Sequence, residues 1–202
     1  AKRIVRIYNG VSRDFTTVDC PEDDETIRRA GVSSPFILYV GGYDPRKNVD
    51  YLVRSFDASG LLTHQLVIIA RKHRYFYQLL KDWQKLGAFD RIRLLEVPEK
   101  EIPSFYRKAQ FFVNPSLWES FSLQLVEAMA SGTPVVSSNR KALPEILGDA
   151  GKYFDPGENG SLRLLMARMA EDTQLRMSLR ERGLIRSESF GWDKTAKQTT
   201  AV

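Results

Sequence analysis

Two glutamates, Glu119 and Glu127, stand eight positions apart in the segment WESFSLQLVEAMASGTPVV. An apolar run, Phe111 to Val113, leads into a polar, aromatic turn, and the stretch from Leu123 to Ala130 is helix-prone. Gly132 and Pro134 stop that helix before Val135 and Val136 begin the next strand. On one helical element, eight positions amount to a rise of roughly 12 Å and a rotation of about 80°. The two carboxylates are therefore expected on one side of one element, about as far apart as the ribose and hexose of a nucleotide sugar. A carboxylate suits sugar hydroxyls because it can accept two of their protons in charge-assisted bonds. The helix start beside Glu119 offers free backbone N–H groups and a positive dipole end to the diphosphate between the two sugars.

A second candidate is the run Gly41-Gly42-Tyr43-Asp44-Pro45-Arg46-Lys47, which follows the apolar strand Phe36 to Val40. Its glycines permit close backbone approach, Pro45 stiffens the turn, and Arg46 and Lys47 put two cations at the mouth of a helix. The alternative is a plain strand-to-helix turn with solvated charges. The double glycine is not a dinucleotide fingerprint, because G-x-G-x-x-G is absent. The basic run Arg71-Lys72-His73-Arg74 reads more readily as a solvated helix start than as a phosphate site, and His73 alone suggests no catalysis.

These residues need elements to hold them, and short apolar strands alternate with helices along the chain. Strands are expected at Ile4 to Ile7, Phe36 to Val40, Leu66 to Ala70, Ile92 to Leu95, Phe111 to Val113, Pro134 to Ser137 and Tyr153-Phe154. Helices are expected at Val49 to Ser59, Tyr75 to Leu86, Ile102 to Ala109, Leu143 to Leu147, Leu162 to Ala170 and Leu175 to Arg186, with a polar, acidic stretch from Asp19 to Thr26. Such alternation implies βαβ crossovers and a parallel sheet: an α/β, Rossmann-like, doubly wound domain with a helical C-terminus. Ligands of such sheets bind at the carboxyl ends of the strands near a topological switch point. The loops 41–47, 71–74, 96–99 and 115–122 all fall there.

The 202 residues fit a single domain, with an ordinary globular composition of 43% apolar and 27% charged residues. No apolar run reaches 18 residues, and AKRIVRIYNG lacks a signal-peptide core. Cys20 is the single cysteine, which excludes an internal disulfide and fits a reducing cytoplasm. With His64 and His73 the only histidines, a Cys/His metal site is not expected. The net charge of +5 fits either a mixed solvated surface or attraction to anionic phosphates, in a ligand or at a membrane surface. No nucleic-acid-binding signature is present, so no nucleic-acid partner is expected.

The segment from Glu119 to Glu127 resembles the E-x7-E motif of retaining glycosyltransferases of the GT-B fold, in particular the group 1 family that includes many bacterial mannosyltransferases. The resemblance continues through Gly41 to Asn48, through Leu143-Pro144-Glu145 with Gly148-Asp149-Ala150, and through Phe190 to Ala196. These four blocks, in the family's order, cover nearly the whole chain. The resemblance implies the donor-binding half of a retaining hexosyltransferase, with a nucleoside diphosphate sugar of the GDP-mannose type as donor. A glycan or lipid-linked acceptor would be used in polysaccharide or lipopolysaccharide synthesis. Residues 1–12 resemble the segment that crosses between the two domains of such enzymes, with the N-terminal acceptor domain absent from this chain. The implied setting is cytoplasmic, with possible peripheral membrane association.

The resemblance implies that Lys47 holds the leaving diphosphate and that Glu119 orients the donor hexose, and Arg46, beside Lys47 in this chain, is the further cation expected there. Gly41, Gly42, Ser120, Phe121, Ser122 and Leu123 would form the donor loops, Val97 would frame the base, and Glu127 would take the ribose. No Asp-x-Asp pair is present to hold Mg²⁺, so no metal and no cofactor are expected. Many members carry an arginine directly after the first glycine, where this chain has Gly42, and many read Glu-Gly-Phe-Gly-Leu where it has Ser120 and Ser122. Ser122 reads equally as a helix N-cap, Phe121 as a packing residue and Trp192 as an anchor for the last helix. A non-catalytic nucleotide-sugar-binding module is the alternative function.

Overall fold

The computed structural model describes residues 4–201. Six strands form one sheet: β1 (Phe36–Gly41), β2 (Gln65–Ala70), β3 (Ile92–Leu95), β4 (Phe111–Asn114), β5 (Val135–Ser138) and β6 (Gly151–Phe154). All pairings are parallel and the order is β3-β2-β1-β4-β5-β6, the doubly wound arrangement with its switch point between β1 and β4. Nine helices among the described residues cover the sheet: α1 (Asp23–Arg29), α2 (Val49–Asp57), α3 (Arg74–Trp83), α4 (Ile102–Lys108), α5 (Leu123–Ala130), α6 (Leu143–Leu147), α7 (Ser161–Glu171), α8 (Thr173–Ser187) and α9 (Trp192–Thr200).

The central strands are apolar throughout because both faces of the sheet are covered. Along β1, Phe36 and Leu38 enter one core while Ile37 and Tyr39 enter the other, the period of two that a pleated strand demands. The core that takes Ile37 and Tyr39 holds Leu52, Val53 and Phe56 of α2 and Leu162, Met166 and Met169 of α7. The core that takes Phe36 and Leu38 holds Phe105 and Tyr106 of α4, Leu125, Val126 and Met129 of α5, and Ile146 and Leu147 of α6.

One expectation fails at the N-terminal end, and one helix there was not anticipated. Ile4 to Ile7 is not a strand, and Ile4 is 97% exposed. Alternating apolar residues make a strand only when a partner edge is available, and among the described residues the sole pairing nearby is a single bridge from Val11 to Gly191. The acidic stretch after Asp19 holds α1, whose first turn is Asp23-Asp24-Glu25 and whose last carries Arg28 and Arg29. That charge order matches the helix dipole and was legible in the sequence. Residues 1–3 of the crossing-segment resemblance lie outside the described residues.

Trp192 does less packing than expected of an anchor. It is 52% exposed, although one side lies so close to Gly10 that a Cβ there would sit 2.6 Å from Trp192 Cγ. More rigid is the join between α1 and α4, where Asp23, fully buried, accepts from Arg107 Nε and Nη2 at 2.6 Å each. Burial would push the Asp23 carboxyl up, but the hydrogen bonds from Arg107 and Ser104 overcome it and hold the carboxyl at about 2.

Candidate functional site

A cleft of about 500 Å³ opens at the carboxyl ends of β1, β2, β3 and β4. Gly41 and Lys47 come from the loop after β1, and Arg71 from the loop after β2. Val97 and Glu99 follow β3, and Leu123, Gln124 and Glu127 belong to α5. The cleft lies where such sheets place their ligands.

Gly41 is required by packing as much as by any ligand. A Cβ at that position would lie 2.5 Å from the Tyr39 hydroxyl and 2.9 Å from its ring carbon. The Tyr39 hydroxyl in turn donates to the Gly42 carbonyl at 2.6 Å, and burial keeps that phenol protonated by pushing its pKa far up. The loop after β1 is thus tied down from beneath. It then makes a turn of 3-10 helix (Pro45–Lys47) that delivers Lys47 to the cleft.

Across the switch point, Lys47 Nζ meets Glu119 Oε1 at 2.6 Å, the two side chains being 20% and 14% exposed. Ser116 Oγ donates to the same oxygen at 2.8 Å, and the Leu117 N–H donates to the Arg46 carbonyl at 2.7 Å. The loop after β1 and the loop after β4 are therefore fastened together by backbone and side chain. The largely desolvated pair is held more strongly than a surface ion pair would be.

Glu119 does not sit on the helix with Glu127. It lies in the loop before α5, four residues ahead of Leu123, so the helical rise expected between the two carboxylates does not apply. Both nonetheless serve one cleft, Glu127 on its wall and Glu119 through its bond to Lys47, which lines it.

Glu127 receives a hydrogen bond on Oε2 from the Tyr106 hydroxyl at 3.0 Å. Burial raises the Glu127 carboxyl above its usual range, the Tyr106 bond opposes that rise, and the Glu99 charge adds to it. Burial and the neighbouring carboxylate push the Tyr106 phenol far up, so it stays a donor. A raised carboxyl pKa means that the fold favours the protonated form. The resulting stability is greatest at low pH and is lost as pH rises through the folded value. Ligand hydroxyls need the opposite, an ionised Glu127. Affinity for a ribose-bearing ligand is therefore expected to fall as pH drops through that raised value, and Glu127→Gln should flatten the profile. Tyr106→Phe removes the bond that favours the carboxylate and should move the midpoint upward in pH. Titration calorimetry between pH 4 and 8 is the check, and an unmoved midpoint in Tyr106→Phe would disprove the coupling.

Of the residues expected at the site, Gly41, Lys47, Val97, Leu123 and Glu127 line the cleft. Arg46 does not reach it: its side chain is 65% exposed and pairs with Asp44 at 3.1 Å. Phe121 packs edge-on against Phe190 and near Tyr8, ring centroids 5.7 Å and 6.0 Å apart, which is the packing role. Gly42 and Ser120 are off the cleft wall, and Ser122 is buried with no side-chain cap bond to α5. Arg71 was set aside in the sequence as part of a solvated run, yet it is the residue of that run that lines the cleft. His73 instead caps α3, accepting from the Tyr75 N–H at 3.3 Å. Phe15, Gln124 and Ile102 also line the cleft and carried no distinctive motif in the sequence.

Residues 22–186 match the family model for glycosyl transferases group 1, and the chain belongs to that family. Among its relatives is O-antigen chain mannosyltransferase B of Escherichia coli, 34% identical over 171 residues, which are 81% of this chain and 44% of that protein. MMP alpha-(1->4)-mannosyltransferase of Mycolicibacterium hassiacum is 37% identical over 108 residues, 52% of this chain and 26% of that protein. The chain spans less than half the length of these relatives. Its fold is that of HepE from Anabaena, solved with UDP and glucose, at a TM-score of 0.87 and 21% identity over 96% of this chain and 55% of that one. The C-terminal domain of a glycosyl transferase group 1 protein from Francisella tularensis aligns at a TM-score of 0.75 and 19% identity over 88% of this chain and 97% of that domain. No helix among the described residues is long and apolar enough to cross a membrane.

Proposed function

We propose that this chain is the donor-binding half of a retaining hexosyltransferase, with a nucleoside diphosphate sugar of the GDP-mannose type as its donor. The observation that carries this reading is the joining of Lys47 and Glu119 across the switch point, with Glu127 on the wall of the same cleft. Two mannosyltransferases among the relatives favour a mannosyl donor. In this reading the diphosphate lies against Lys47 and the backbone N–H groups at the start of α5. The hexose hydroxyls meet Glu119, the ribose hydroxyls meet Glu127, and the base lies by Val97.

Transfer breaks the bond between the sugar carbon and the diphosphate oxygen while that carbon gains oxocarbenium character. Charge builds on the leaving oxygen, and Lys47 with the helix-start N–H groups stabilises it most when it is greatest. Arg71, on the same cleft, is assigned to the phosphates in place of Arg46. The attacking acceptor hydroxyl loses its proton to the departing phosphate. The acceptor, a glycan or lipid-linked sugar, is assigned to a second domain.

A calorimetric panel of GDP-, UDP- and ADP-sugars against this chain tests the donor reading. GDP-mannose is expected to bind weakly, because water reaches phosphates in a half-open cleft and weakens each charge contact. With a competent acceptor present, this chain alone should turn over no labelled donor while the full-length protein does. Binding of none of these sugars would sink the proposal, and full-rate turnover by this chain would sink its half-enzyme part.

A further inference from the structure

Ser122 has a left-handed backbone, with φ at +77°, a conformation that glycine takes freely and a serine adopts only at a cost. It is also buried, 6% exposed, with a hydroxyl that needs partners. The hydroxyl donates to Gln124 Oε1 at 3.4 Å and accepts at 2.9 Å from Nδ2 of Asn114, the last residue of β4 and only 3% exposed. The amide orientation is fixed chemically, because Asn114 Oδ1 accepts from the Ser116 N–H at 3.1 Å and a backbone N–H can only donate. One side-chain amide thus grips both ends of the loop that carries Glu119. Ser116, so held, gives its Oγ proton to Glu119 Oε1 at 2.8 Å. The Ser116 carbonyl is itself secured by the Ser138 hydroxyl at 2.5 Å.

We propose that Asn114 is a positioning residue for Glu119, and that Asn114 and Ser122 act as a coupled pair that holds a strained donor loop in place of glycine. The inference rests on the donor reading of the site only for its ligand. The clamp itself rests on the left-handed serine and its buried bonds. Lys47 and Ser116 both bind Glu119 Oε1, so fixing Ser116 fixes this carboxylate and leaves its Oε2 for a donor hydroxyl. Asn114→Leu keeps the branched side-chain skeleton and removes both bonds. Ser122→Gly removes the strain along with the hydroxyl.

The test uses four forms of this chain: unchanged, N114L, S122G and N114L/S122G. Two measurements are made, hydrogen exchange across residues 116–125 and calorimetry with GDP-mannose and with GDP. N114L is expected to exchange faster in this loop and to lose on the order of tenfold in affinity for GDP-mannose. Its loss for GDP should be smaller, since GDP lacks the hexose that Glu119 meets. The effect of S122G on affinity should differ between the two backgrounds by more than about threefold, and be the more favourable in N114L. Equal effects of S122G in the two backgrounds, equal losses for GDP and GDP-mannose in N114L, or unchanged exchange in N114L would each overturn the proposal. If the unchanged chain binds neither ligand, the donor reading fails, and the exchange data alone then decide the clamp.

Discussion

Replacing Arg107 by alanine is expected to destabilise the domain by about 3–5 kcal/mol, the cost of leaving a buried carboxylate without its partner. Asp23 is fully buried, Arg107 is 8% exposed, and the contact is a two-pronged one at 2.6 Å per prong. With Arg107 gone, burial is left opposed only by the bonds from Ser104 and the Cys20 N–H, and the Asp23 carboxyl rises. The sign of the pH response should therefore invert locally. In the unchanged chain the folded pKa of about 2 lies below the ordinary 3.8, so Asp23 contributes stability above about pH 4 that is lost as pH falls toward 2. In Arg107→Ala the fold should tolerate mild acid better relative to its own value at neutral pH. Urea unfolding at pH 7 and pH 4 measures both effects, and a loss below about 1 kcal/mol at pH 7 would remove the pair from any structural role.

Lys47→Ala is expected to weaken binding of a nucleoside diphosphate by about 3 kcal/mol, on the order of a hundredfold. Two effects add: the ligand loses its cation, and Glu119, only 14% exposed, is left charged and without it. Adding Glu119→Gln to Lys47→Ala should recover part of the nucleotide affinity, because it removes that uncompensated carboxylate. In the full-length protein turnover should fall further than ground-state binding, since the leaving charge peaks in the transition state. Calorimetry on the single and double variants, with single-turnover kinetics on the parent, separates these. Intact nucleotide affinity in Lys47→Ala would show that the lysine serves the ion pair alone. Arg46→Ala, in contrast, should change binding little, because the Arg46 side chain turns outward to Asp44 and only its backbone carbonyl serves the site.

What the sequence by itself determined was the alternation of elements and the strand-end position of the loops 41–47, 71–74, 96–99 and 115–122. Short continuous apolar runs alternating with helical stretches, punctuated by Gly41-Gly42, Gly132 and Pro134, are enough to specify a parallel doubly wound sheet, because these are local properties of the chain. Lys47 and Glu127, picked out by residue type, likewise fall on the cleft, whereas the helical spacing expected from Glu119 to Glu127 does not hold because Glu119 precedes α5. Side-chain direction was decided only by the tertiary structure. Arg46 and Arg71 are both cations at strand ends, yet packing turns the first toward Asp44 and the second toward the cleft. The bond from Tyr106 to Glu127 joins α4 to α5 and spans 21 positions, and that from Lys47 to Glu119 spans 72. No local pattern encodes such pairs, because they exist only once β1 and β4 lie side by side and α4 and α5 share one face of the sheet. The left-handed turn at Ser122 belongs with them, since serine has no local preference for it and the buried amide of Asn114 is what holds it there.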